Sequence, residues 1–154
     1  INKAIEKNDL SIESAYPFAP TYRASQKHLY KLRKENLPPL PKERSDIIFE
    51  DDYARFTETN CHNRFLLFDT KDNNRIIAFS SDTQLEILSK SKRWHVDGTF
   101  KAAPALYKQL YQIHAWDYNE MHACVFIFLI NKTEDIYNKM LDELKLAAEK
   151  LGFF

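Results

Sequence analysis

The chain has 154 residues, 44% hydrophobic, 29% charged and 14% aromatic, enough for one globular domain or two very small units and unlike a disordered segment. Lys plus Arg and Asp plus Glu stand at 22 each, which excludes a uniformly basic nucleic-acid binder but not a locally basic one. Cys61 and Cys124 have neither CxxC nor finger spacing, arguing against a disulfide framework or zinc site and for a reducing, intracellular compartment, not a secreted protein.

Residues 1–20 carry Pro17 and Pro20 with weak periodicity and predict a short helix or irregular lead-in. Thr21 reads as an N-cap, and the stretch to Asn36 has Tyr22, Leu29 and Leu32 at helical spacing before Pro38, Pro39 and Pro41 end it. On that helix Arg23, Lys27, Lys31 and Lys34 fall on one stripe, with Arg33 beside it; such a stripe either tracks phosphates or is simply a solvated face. Charge is uneven here. Between Tyr22 and Arg44 the seven basic residues outnumber Glu35 and Glu43, whereas between Ser45 and Asp82 acidic residues prevail. Residues 1–44 therefore read as a helical basic arm with a Pro-rich linker.

Residues 45–92 read as a β-hairpin module with a short helix. Strands are predicted at Ile47–Phe49, Tyr53–Thr59, Arg64–Thr70 and Arg75–Ser80. The last two flank Lys71-Asp72-Asn73-Asn74, whose Asp and Asn residues suit the positive φ of a tight turn. Ser81 with Gln84 makes a capping box ahead of Leu85, Ile87 and Leu88, giving a helix to about Lys92.

Residues 93–154 open on a strand, Arg93 to Phe100, with Trp94 and Val96 on one face and His95 and Asp97 on the other. Strands Gln109–Tyr118 and Met121–Ile130 follow, joined by a turn at Asp117–Glu120, so three consecutive antiparallel strands result. Thr133 is expected to cap a last helix whose core stripe is Ile136, Met140, Leu141, Leu144, Ala148 and Leu151, stopped by Gly152. The fold class is α+β: an antiparallel β-meander followed by a helix, preceded by the hairpin module and the helical arm.

The segment Trp94-His95-Val96-Asp97-Gly98-Thr99-Phe100-Lys101, with Pro104, Gln109 to His114 and Lys132 to Tyr137 after it, resembles the MULE (Mutator-like element) transposase domain, a DDE-type transposase family. The match is strongest over residues 93–145. The resemblance implies an RNase H-like fold, present here as its first half, with Asp97 as the first catalytic aspartate and metal ligand. It also implies Mg²⁺ as cofactor, DNA as partner and a nuclear location. Two-metal phosphodiester chemistry needs converging carboxylates, and the family's second aspartate and final glutamate fall beyond Phe154. The chain starts at Ile1 and stops at Phe153-Phe154, and is expected to be a piece of something longer, with Phe153-Phe154 opening a fourth strand.

Other residues carry less. If the turn is centred near Pro104, Asp97 pairs with about Tyr111, which leaves Asp117 and Glu120 too far along the sheet to join it. Asp69 and Asp72 read as turn chemistry. His95, His114, His122 and Cys124 lack metal-ligand spacing, and two glycines in total leave no nucleotide-binding loop. The longest apolar run, Ala123 to Ile130, is far short of the roughly 20 residues that span a bilayer, so no membrane partner is expected.

Two functions compete. One is a fragment or domesticated descendant of a MULE-like DDE transposase, ancestrally a Mg²⁺-dependent strand-cleaving and strand-transferring enzyme and inactive as this chain alone. The other is a non-catalytic, transposon-derived DNA- or protein-binding module. In the RNase H-like arrangement the Arg93–Phe100 strand would have an open edge, expected to be covered by the upstream hairpin, a second copy of the chain or a partner strand.

Overall fold

The structure, a computed structural model, describes residues 22–35, 37, 39–117 and 119–153, with the side chains of 22–24 and 52 outside that description. The predicted lead-in over residues 1–20, the Thr21 cap, the Arg23 side chain and Phe154 all lie outside the described residues. Two compact units are present, residues 1–39 and 40–154. The segments read as hairpin module and transposase-like core thus fall in one unit.

In the first unit, helix α1 spans Tyr22–Glu35. Lys27, Lys31, Arg33 and Lys34 are exposed, and Lys31 Nζ stands 3.8 Å from Glu35 Oε1 one turn on. Leu29 and Leu32, which recur at helical spacing, are 51% and 42% exposed.

The second unit is built on an antiparallel sheet. Its strands are β1 (Leu66–Asp69), β2 (Ile77–Phe79), β3 (Trp94–Thr99), β4 (Gln109–Asp117) and β5 (Glu120–Leu129), in the order β1-β2-β5-β4-β3. Helix α2 (Asp82–Lys90) links β2 to β3, and α3 (Glu134–Lys150) follows β5. The architecture is α+β, as the periodicity predicts, and the consecutive strands β3, β4 and β5 form the expected meander.

Apolar alternation explains the core. Ile113 and Ala115 of β4, Val125 and Ile127 of β5, and Ile76 and Ala78 beside them meet Leu88 of α2 and Ile136, Met140 and Leu144 of α3. The α3 stripe is narrower than predicted: Leu141 and Leu151 are exposed. Thr133 sits at the N-cap, but its side chain accepts no capping hydrogen bond. At the far end Gly152, with φ of 78°, allows Phe153 N–H to donate back to Ala148 O, the left-handed stop that glycine favours. That engagement of Phe153 belongs to the helix end.

On the other face, Phe65 packs on Phe79 and Phe126, Phe79 on Phe128, and Tyr107 on Phe128. Helix α2 begins with the predicted capping box, Ser81 Oγ accepting from Gln84 N–H while Gln84 Oε1 accepts from Ser81 N–H. The same region finishes the edge of β5 beyond β2. There Ser80 Oγ donates to Cys124 O at 2.8 Å, and Gln84 Nε2 donates to Ala123 O at 2.9 Å. These bonds satisfy carbonyls at a register shift in the β4–β5 ladder, where burial without partners would be costly.

Two predicted strands are absent. Arg44–Asp46 and Asp51–Thr57 are short 3₁₀ helices, and the Ile47–Phe49 run between them forms no strand. Local bonding wins over pairing here. Asp46 Oδ2 accepts from Lys42 and Glu43 N–H, Asp51 adopts φ of 49°, and the carbonyl of Ile47 accepts from Arg75 Nη2 at 2.7 Å. In the hairpin, positive φ falls on Lys71 (53°) and not on Asp72, Asn73 or Asn74. The register shift between Leu66 and Phe68 lets the adjacent Leu67 and Phe68 both pack on the core.

Candidate functional site at the β3 edge

β3 is the last strand in the sheet order, paired on one side with β4. Among the described residues no strand pairs its outer side. The predicted hairpin cover is therefore corrected: β2 pairs with β5, placing the hairpin at the opposite edge. The hairpin belongs there because Ile76, Ile77 and Ala78 are fully buried residues that extend the β5 side of the core.

Alternation along β3 separates two surfaces. Trp94 and Val96 lie opposite Ala115 and Ile113, on the face that α3 covers, yet are 44% and 57% exposed because they sit at its rim. His95 and Asp97 face the other way, opposite His114 and Gln112. Both are exposed, beyond the reach of the aromatic cluster. The His95 ring lies 6.5 Å from that of Trp116, and Asp97 Oδ2 accepts a 3.3 Å hydrogen bond from Thr99 Oγ1. Asp97 opposes Gln112, one residue from the expected Tyr111, because the β3–β4 loop is centred between Pro104 and Ala105 and not on Pro104.

Gly98 has a specific reason to be glycine. A Cβ there would stand 1.9 Å from Gln109 Nε2. The Gln109 side chain fills that space, is itself buried, and accepts from Tyr137 Oη at 3.0 Å. The Asp-Gly pair thus fixes an exposed carboxylate beside a packed amide.

The next carboxylates along the chain after Asp97 do not converge on it. Asp117 and Glu120 face each other at the far β4–β5 turn, and Asp117 is five positions along β4 from Gln112, roughly 17 Å at 3.3 Å per residue. Among the described residues no group of three or more His, Cys, Asp or Glu side chains could hold a metal ion. The residues around Asp97 do not by themselves fit a Mg²⁺ site.

Asp69, read from sequence as turn chemistry, instead holds a buried ion pair. Arg75 Nε and Nη2 donate to its two carboxylate oxygens at 2.8 and 2.6 Å, with side chains only 7% and 5% exposed. Nη1 and Nη2 also donate to the carbonyls of Arg44 and Ile47 respectively, fastening the 3₁₀ segment onto the hairpin. Bonding to Asp69 raises the Arg75 pKa further. The buried Tyr107 hydroxyl has no hydrogen-bond partner among the described residues, and burial pushes its pKa up to about 12. Matching charges six residues apart across a turn were the available signal for the clamp; the carbonyls it holds were invisible to pattern reading.

No family profile, curated protein or solved structure matches this chain. No helix among the described residues is long and apolar enough to cross a membrane.

Proposed function

We propose that the chain is a piece or a domesticated descendant of a MULE-like DDE transposase, whose ancestral activity was Mg²⁺-dependent DNA strand cleavage and transfer in the nucleus. The observation that supports this reading best is the run β3–β4–β5–α3 with Asp97 exposed on its first strand, joined to the resemblance of the surrounding residues. As this chain alone the protein is inactive, since one carboxylate cannot organise two metal ions. What it retains is DNA binding through the exposed Lys27, Lys31, Arg33 and Lys34 of α1, with Arg23 on the same helix. These charges would neutralise phosphates and release counterions.

A second reading, a non-catalytic module that binds DNA or protein, is favoured by the outer side of β3, which no strand among the described residues pairs and which suits a second copy or a partner strand.

The test is nicking of supercoiled DNA in Mg²⁺ or Mn²⁺ by the chain and by Asp97→Ala, alongside DNA binding across a salt series. No nicking, with binding that weakens as salt rises and weakens further in Lys27→Ala/Lys31→Ala/Lys34→Ala, supports the proposal. Nicking abolished by Asp97→Ala overturns the inactivity, and salt-independent or absent binding overturns the DNA role.

A further inference from the structure

We propose that the outer edge of β3 pairs with the same edge of a second copy, antiparallel and two-fold symmetric about Val96, joining the two sheets into one. This inference stands apart from the transposase reading, since it rests on the strand's own pattern.

Backbone parity comes first. Trp116 N–H donates to Arg93 O, and Arg93 would oppose Trp116 by continuation of the β3–β4 register. In an antiparallel ladder the residues that bond to one neighbour alternate with those that bond to the other. His95, Asp97 and Thr99 therefore direct their N–H and C=O groups toward β4. Val96 and Gly98, with Trp94 in phase, direct theirs outward. A two-fold axis through a Val96–Val96 pair needs that parity, because Val96 must exchange both its bonds with its own copy. Gly98 of each copy then falls opposite Trp94 of the other, so the ladder extends to both sides of the Val96 pair.

Side chains select the same register. Pairing about Val96 sets His95 of each copy opposite Asp97 of the other, on the exposed face and twice over. Cross-strand partners of opposite polarity stabilise a ladder, whereas like charges directly opposite destabilise it. A shift to an axis through Asp97 would put two carboxylates face to face. On the other surface Val96 meets Val96, and a groove of about 390 Å³ lined by Trp94, Leu141, Leu144 and Lys145 lies alongside. Val96 and Leu141 are 57% and 48% exposed, apolar area that a joined sheet would cover. Edge strands are ordinarily guarded by lysine, proline or a bulge. β3 carries none of these between Trp94 and Thr99, and its ladder with β4 has no register shift.

Sedimentation velocity on the 154-residue chain over a concentration series tests this, with far-UV circular dichroism confirming that each variant is folded. The chain should dimerise. His95→Asp, which places Asp opposite Asp twice, should weaken association by about tenfold or more. Adding Asp97→His to it recreates the His–Asp palindrome with the two residues exchanged and should restore the dimer. Val96→Pro removes an outward N–H while leaving the β4 ladder intact, and should abolish association. A chain monomeric throughout the series overturns the proposal. So does association that persists in folded Val96→Pro, or a His95→Asp/Asp97→His variant no better than His95→Asp.

Discussion

The two edges of the sheet are built on opposite principles. At the β1 edge, the buried Arg75–Asp69 pair ties the hairpin to residues 44–47, and Phe49 and Phe65 close over Phe79. At the β3 edge, Val96 and Gly98 direct their backbone groups away from β4, and the side chains of His95, Val96 and Asp97 are exposed. Both edges contain one prominent aspartate, and the contrast between them is instructive. Asp69 is buried and spent on architecture; Asp97 is exposed and held by little beyond Thr99, the condition of a carboxylate free to meet a ligand or another chain.

The largest expected effect lies at the fastened edge. Arg75→Ala should cost about 3–5 kcal/mol by urea denaturation, because it strands a buried carboxylate. Asp69→Asn/Arg75→Met should recover much of that loss; if Arg75→Ala is nearly neutral, the clamp does not hold this edge. Next comes the open edge. Gly98→Ala should cost about 1–2 kcal/mol by displacing Gln109 from Tyr137, and the penalty should shrink in a Gln109→Ala background, a coupling that a double-mutant cycle reads directly.

Capping gives a smaller contrast between the helices on either side of the meander. Ser81→Ala removes the acceptor of a closed capping box and should cost about 1 kcal/mol. Thr133→Ala, whose side chain makes no such bond, should cost under about 0.5 kcal/mol. Equal losses would show that the α3 cap is formed after all.

A further small effect joins the hairpin turn to α3 through Lys139 Nζ and Asp72 Oδ2. The hydrogen bond from Lys139 holds the Asp72 pKa below its ordinary value. A carboxylate with a depressed folded pKa stabilises the fold above its unfolded pKa, near 4, and loses that contribution as pH falls through the folded value. Because the pair is partly exposed, Lys139→Ala should cost under about 1 kcal/mol at neutral pH. The difference from the parent should close in acid unfolding titrations below about pH 4.

Much of this architecture was legible in the residues. The period-two runs of β3, β4 and β5, the 3.6-residue stripe of α3 and the Ser81–Gln84 box each follow one local rule strong enough to survive packing. Legibility failed where bonding is local and irregular. The Ile47–Phe49 and Tyr53–Thr59 runs look like strands by hydrophobicity, but their carbonyls and turns are claimed by Arg75, Asp46 and Asp51. The site was legible only in part. Alternation placed Asp97 with His95 on the face opposite Trp94 and Val96, and the β3–β4 register then differed by a single residue, because a loop's centre depends on turns that no periodicity reports. Sheet order was beyond reach, since which edge the hairpin joins depends on where Ile76 and Ile77 find burial.

Amide hydrogen exchange resolved along β3, at low and high protein concentration, tests the contrast between edges most directly. The amides of His95 and Asp97, bonded to β4, should be protected at both concentrations. Those of Val96 and Gly98 should exchange rapidly when dilute and become protected when concentrated, as a second β3 covers them. Protection of Val96 and Gly98 at every concentration would show that something within the chain already covers this edge, and rapid exchange at every concentration would show that no second copy does; either result contradicts the account.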